Sequence, residues 1–181
     1  MSRFGYVMTT YFAVMLMGIL SIVSFAPKLI WNASTSTPIG LYAISSSDGL
    51  EASDLVAVAA PEPIATFLAD GGYLPRGVPL LKRVAGLPGQ SVCRTGHTIT
   101  VDGQTIGNAL DRDRRGRELP AWRGCRLVAD DELFLMNWQV RDSLDGRYFG
   151  PVPASSVIGV ATPLYTDEDG DGRFVWRAPT R

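Results

Sequence analysis

The sequence predicts a mainly antiparallel β domain carried on one N-terminal apolar helix. Three observations lead there. Residues 6–26 run for 21 positions without a charge. Beyond them, short apolar runs alternate with Gly, Pro, Asn and Asp turns, the pattern of strands and hairpins. Only Ile64–Ala69 offers a short helix in that part.

Taken in order, Tyr6–Ala26 is long enough, at about 1.5 Å per residue, to cross a hydrocarbon core of roughly 30 Å. Its threonines and serines can bond back to helix carbonyls. A cleaved signal peptide and a retained anchor compete for this stretch. Ser24-Phe25-Ala26 has the small-x-small form of a cleavage site, but Pro27 follows at once and the apolar run exceeds a signal core. The reading is a retained transmembrane anchor over 6–26, a short tail over 1–5 left on the cytoplasmic side, and an exported β domain over 27–181. Arg3 and Lys28 nearly balance across the span, so the short tail sets the orientation. Lipid bilayer is therefore one expected partner.

Next, Asn32–Tyr42 (NASTSTPIGLY) is a turn-rich loop feeding a strand at LYAIS. Ten residues separate Ala26 from Ser36, a reach of at most about 36 Å, so this loop works close to the bilayer. Asp54–Ala60 reads as a strand ended by Pro61 and Pro63. Pro79–Gln90 (PLLKRVAGLPGQ) carries another, and Ser91–Cys93 with Thr98–Val101 suggests hairpins around Gly96 and Asp102-Gly103. Leu110–Arg123 is charged and aperiodic, an exposed excursion. Glu132–Met136 and Val157–Thr162 are further strands.

Composition excludes several functions. Net charge is −1 with no long run of one sign, which argues against a nucleic-acid surface or a polybasic lipid patch. The lone histidine, His97, lies in a hairpin-like stretch without a second ligand near it and reads as a surface residue. A Ser-His-Asp arrangement would depend on that one residue. Asp167–Gly172 (DEDGDG) matches the first half of a calcium loop, yet Ala178 stands where the bidentate Glu belongs, so it reads as a solvated acidic turn. No metal or cofactor is expected. Cys93 and Cys125 are the only cysteines. In an oxidising compartment they could close a loop of about thirty residues; in a reduced protein they would be two thiols.

One residue stands out. Lys82 sits behind Leu80-Leu81 and ahead of Val84-Ala85 in a run that otherwise reads as a buried strand, and the chain has two lysines against fifteen arginines. Burial disfavours the ammonium and pushes such a group toward neutrality, which makes an amine a general base. Snorkelling from a strand edge is the ordinary alternative. In DSLDGRYFGP, alternation would bring Ser143, Asp145 and Arg147 to one side of an extended segment, with Ser143 free to bond a neutral amine. The plain alternative there is a polar turn with a surface ion pair worth about 0–1 kcal/mol.

Ser36-Thr37-Pro38, Leu81-Lys82-Arg83-Val84-Ala85-Gly86-Leu87-Pro88-Gly89 and Ser143-Leu144-Asp145-Gly146-Arg147-Tyr148-Phe149-Gly150-Pro151-Val152-Pro153 occur in the order of the type I signal peptidases, and the chain resembles that family. It departs from the ordinary members in having one residue between Ser36 and Pro38 and Met136-Asn137-Trp138-Gln139 in place of G-D-N. N-x-S-x-S-x-P-x-G-L-Y, the two cysteines and the R-Y-F-G-P-V-P ending are more similar to the TraF-type peptidases of conjugative transfer, which process pilin precursors and in some cases join the pilin head to tail. The resemblance implies a signal-peptidase-like fold, a periplasmic site and an exported precursor as substrate. It implies Ser36 as nucleophile, Lys82 as base, and Ser34 beside the Ser36 N–H as oxyanion donors. Asp145 would orient Lys82, with Ser143 and Arg147 in support. Gly146 stands where many relatives have serine.

With those roles, neutral Lys82 takes the Ser36 proton and Ser36 attacks a carbonyl. Working near pH 7 asks for a depression of about 3 units from the reference lysine pKa, a cost of about 4 kcal/mol. Water or the substrate's own amino terminus would then release the acyl group. A general leader peptidase and a non-enzymatic anchored β module are the competing functions. Self-cleaving repressors also use Ser/Lys pairs, but nothing here reads as a DNA-binding helix pair.

Overall fold

Alternation along the strands builds the larger sheet, and a switch from half-buried to fully buried strands places its centre. The computed structural model describes residues 2–22 and 28–179. Helix α1 (Arg3–Ile22) precedes β1 (Leu29–Asn32), β2 (Ile39–Ser45), β3 (Leu55–Val58), α2 (Ile64–Asp70), β4 (Leu80–Gly86), β5 (Ser91–Thr95), β6 (Thr98–Val101) and β7 (Gln104–Asn108). Then come β8 (Gly124–Leu127), β9 (Glu132–Leu135), the one-turn α3 (Gly146–Phe149), β10 (Val152–Pro153), β11 (Val157–Asp167) and β12 (Val175–Trp176). The fold is mainly antiparallel β, as the sequence predicts. The larger sheet has the order β1-β2-β11-β3-β4-β9-β10, with β12 also on β11, and the smaller sheet is β7-β6-β5-β8.

β2 buries every second residue, so it is covered on one face only. β3 is buried at all four positions, because both faces of the sheet are covered there. Tyr42, Ile44, Leu55, Ala57, Leu81 and Ala161 pack on one side, and Val56, Val58, Val84, Leu133, Leu135 and Val152 on the other. Lys82 lies opposite Val56 in the β3–β4 register. Period 2 puts it on the face of Leu80 and Val84, inside the second cluster. A third cluster, with Val92, Ile99, Val128, Phe134 and Met136, joins the smaller sheet to β9. Gly40, with φ +148°, opens β2 directly after the serine-bearing loop; a Cβ there would stand 2.2 Å from the Tyr165 carbonyl oxygen, so only glycine lets β2 and β11 meet.

Cys93 and Cys125 face each other across β5–β8 and are joined as a disulfide, 32 residues apart in sequence. Closing that loop removes unfolded-state entropy worth about 4 kcal/mol. The 110–123 segment does lack regular strands, but it is less free than the sequence suggests. Tyr73 donates to Asp113 at 2.6 Å, Arg117 donates to the Gly71 carbonyl at 2.6 Å, and the Arg117 guanidinium stacks 4.2 Å above the Tyr73 ring.

The N-terminal expectation needs correction. The helix starts at Arg3 rather than Tyr6. Among the described residues no helix is long and apolar enough to cross a membrane. Arg3, Gly5, Thr9 and Thr10 dilute its first half, with the threonine hydroxyls turned back onto the Gly5 and Tyr6 carbonyls. Residues 23–27, including the Ser24-Phe25-Ala26 triplet, lie outside the described residues. The described side chains of α1 are nonetheless mostly apolar and exposed, Phe4, Val7, Phe12, Leu16 and Met17 among them.

Candidate active site

A turn between β1 and β2 carries Ser34 and Ser36, and Asn32 at the end of β1 shapes it. The Asn32 amide oxygen accepts from the Ser34 N–H (3.0 Å) and the Ser34 hydroxyl (2.9 Å). Its amide nitrogen faces the carbonyls of Ser34, Thr37 and Pro38 and the Thr37 hydroxyl. Ser34 Oγ and Ser36 Oγ are 3.1 Å apart. A serine has one hydroxyl proton, and Ser34 gives its own to Asn32. Ser36 is therefore the donor in that contact, and its proton points toward Ser34 in this state.

Lys82 is 3% exposed and donates to Ser143 Oγ at 2.8 Å. Val58, Ile64, Leu80, Leu135, Leu144 and Val152 surround it with carbon. That burial lowers its pKa from the usual lysine value to about 8; Asp145 pulls the other way and Arg147 adds to the lowering. The snorkelling alternative is excluded, since the amine is sealed from solvent. Among the described residues no hydrogen bond joins Lys82 to Ser36 or to Asp145.

Asp145 and Arg147 form a fully buried ion pair, with Arg147 Nη2 donating to Asp145 Oδ2 at 2.8 Å and Nε to Oδ1 at 2.9 Å. The surface-pair alternative is thus excluded as well. The extended conformation expected here is corrected to a turn and one helical turn. Asp145 caps α3 by accepting the Arg147 N–H at 3.1 Å, which bends the chain instead of extending it. Arg147 donates onward to the carbonyls of Asn137, Val140, Arg141 and Ser143 and so organises the whole 137–143 loop. Asp145 acts on Lys82 by its field and by holding this loop, rather than by direct contact. Gly146 lets α3 press onto β9: a Cβ there would lie 2.6 Å from the Phe134 ring and 2.7 Å from the Leu135 carbonyl oxygen.

Sequence reasoning passed over Asn137, which joins the two groups. Its amide nitrogen donates to the Ser36 carbonyl (2.8 Å) and the Leu81 carbonyl (3.1 Å), and its oxygen accepts the Arg83 N–H (3.1 Å). One side chain thus pins the Ser36 turn to the residues on either side of Lys82. The departure from G-D-N at this place was the available signal. Asn137→Ala is expected to leave three backbone groups without partners, cost about 1–3 kcal/mol, and slow turnover about ten- to a hundredfold. Steady-state kinetics beside a denaturation curve checks both figures.

Ser36 opens onto a cleft of about 470 Å³ that Tyr42, Arg83, Asn137, Trp138, Gln139 and the 167–170 turn also line. In that turn Asp167 accepts the N–H groups of Asp171 and Gly172, so its carboxylate serves the turn itself. His97 lies on the surface, 2.9 Å from Asp111.

The family model for signal peptidases, peptidase S26, matches residues 3–165. The chain belongs to that family. Among its relatives in the S26 group, a probable conjugal transfer protein TraF from Sinorhizobium fredii is 36% identical over 145 residues, covering 75% of this chain and 76% of the relative. The conjugal transfer protein TraF of Agrobacterium tumefaciens is 34% identical, over 75% of this chain and 81% of its own. A plasmid transfer protein TraF from Escherichia coli is 30% identical over the same shares. A signal peptidase I crystal structure from Enterococcus faecalis V583 superposes with a TM-score of 0.39 and 23% identity, covering 64% of this chain and 98% of that one. Membership of the S26 family implies serine-peptidase activity.

Proposed function

We propose that the protein is a serine endopeptidase in which Ser36 is the nucleophile and Lys82 the general base, and that it processes an exported precursor, a conjugative pilin subunit. The observation that carries this reading is the second of the chain's two lysines, buried among apolar side chains, hydrogen-bonded to Ser143, and lowered to about 8. A group so placed sheds its proton as the pH approaches 8 and then serves as a base, and Asn137 ties its strand to the serine turn. In the reaction Ser36 turns its proton from Ser34 to Lys82, and its oxygen attacks the scissile carbonyl. Lys82 then returns the proton to the leaving amine. Ser34 exchanges its bond to the Asn32 amide oxygen for one to the developing oxyanion, beside the Ser36 N–H. Ser143 holds the amine in position, and Asp145 with Arg147 holds Ser143.

The compartment that goes with this reading is the periplasmic face of a bacterial inner membrane. The disulfide and the exposed apolar side chains of α1 support it. The test is the intact mass of the mature pilin made beside this enzyme. A product lighter than the linear chain by one water means that the pilin's own amino terminus released the acyl group; the linear mass means hydrolysis. Ser36→Ala is expected to leave the precursor uncut while the variant still accumulates. Normal processing by Ser36→Ala overturns the assignment. Cleavage of unrelated exported precursors would point to a general leader peptidase instead.

A further inference from the structure

We propose that the smaller sheet is a clamp on the catalytic loop, with Arg94 and Trp122 as positioning residues that hold α3 where its loop presents Ser143 to Lys82. The inference rests on the Ser36/Lys82 reading and goes beyond it. Three consecutive residues of α3 are held from outside. Trp122 Nε1 donates to the Gly146 carbonyl at 3.0 Å, Arg94 Nη1 donates to the Arg147 carbonyl at 2.6 Å, and the Leu110 N–H donates to the Tyr148 hydroxyl at 3.0 Å. All three donors lie between Cys93 and Cys125, inside the loop that the disulfide closes.

Arg94 is the centre of it. It is 4% exposed and is in no ion pair among the described residues. Its guanidinium is spent on the carbonyls of Gly96, Pro120 and Arg147, with the Tyr148 ring 6.0 Å away. Burying a cation with no carboxylate in contact, Asp111 acting only from a distance, is costly, and here it fixes one backbone position in the catalytic loop. From that position the contacts run without a gap. Arg147 grips Asp145 and the Ser143 carbonyl, and the Ser143 hydroxyl meets Lys82. The neighbouring Cys93–Cys125 bridge keeps β5 and β8 in register beneath Arg94.

The charged groups facing Lys82 are Asp145 and Arg147, both held through α3; β3, β9 and β10 present only carbon through Val58, Leu135 and Val152. Loosening α3 therefore admits water to the amine and raises its pKa, because burial is the main cause of its lowering. The acid-side inflection of the rate moves to higher pH.

The test uses the full chain in detergent and p-nitrophenyl N-acetylalaninate, with intact mass locating the acyl group on Ser36. Arg94→Met and Trp122→Phe are expected to slow the acylation burst about tenfold or more at saturating ester, with little change in apparent affinity. The inflection should rise by about half a pH unit, and the double variant should be no slower than Arg94→Met alone. Reducing the disulfide in the wild type should reproduce part of the same change. Gln104→Ala, exposed on the outer strand β7 of the same sheet, serves as the unchanged control. A folded Trp122→Phe or Arg94→Met with wild-type rate and pH profile overturns the clamp; should Arg94→Met not accumulate, Trp122→Phe decides alone. A wild type that is never acylated at Ser36 overturns the peptidase reading, and the clamp with it.

Discussion

Lys82→Met is expected to abolish precursor processing, a loss of at least about 10⁴-fold, while leaving the fold as stable as the wild type or slightly more so. The two outcomes come from the same burial. The folded-state pKa of about 8 lies below the ordinary 10.5, so at neutral pH the fold carries an ammonium where it would hold a neutral amine better. The difference corresponds to about 3 kcal/mol at 1.36 kcal/mol per unit. A lowered lysine pKa makes stability rise with pH between about 8 and 10.5, where the unfolded chain binds the extra proton. Methionine fills a similar volume without that cost, and loses only the bond to Ser143, worth about 1–3 kcal/mol. Thermal melts at pH 7 should therefore place the variant at or above the wild type, and the rise in wild-type stability above pH 8 should vanish. In the wild type the rate should climb about tenfold per pH unit up to about 8 and level off beyond it. A substantially active Lys82→Met would remove the amine from the mechanism.

Asp145→Ala should cost about 3–5 kcal/mol and most of the activity. The substitution leaves the Arg147 guanidinium buried and uncompensated, and it also takes away the acceptor for the backbone N–H groups of Asn137 and Arg147. The 137–143 loop then loses its organiser, so Ser143 and Asn137 drift together. Denaturant titration gives the first figure, and an ester burst on the remaining folded protein gives the second. A loss of stability under about 1 kcal/mol would mean that the buried pair is far better solvated than its geometry implies.

What could be read in the sequence follows what burial writes into it. Lys82 was legible because one ammonium interrupts an apolar run on β4, and the residue types of Ser143, Asp145 and Arg147 were legible for their polarity. Their conformation was not, because Asp145 as a cap and Asp145 as a strand residue look alike until the Arg147 N–H is placed. β7 and β8 went unread because they are mostly exposed, β8 at all four positions, so they show no alternation. The sequence ends its last strand at Thr162, where Pro163 follows, yet β11 runs on to Asp167 through a register shift between Pro163 and Tyr165. Asn137 left only the departure from G-D-N as a trace: a loop asparagine carries no period, and its importance comes from where the other segments arrive.

β11 separates the strand that follows Ser36 from the strand that pairs with Lys82's: among the described residues β2 pairs with β1 and β11, and β3 with β11 and β4. The Asn137 side chain bridges the Ser36 turn and β4, but the backbone ladder between β2 and β3 closes only when residues 157–167 slot between them. Under the Ser36/Lys82 reading, the sheet register behind the two reactive side chains is completed by β11, a strand far along the chain from both of them.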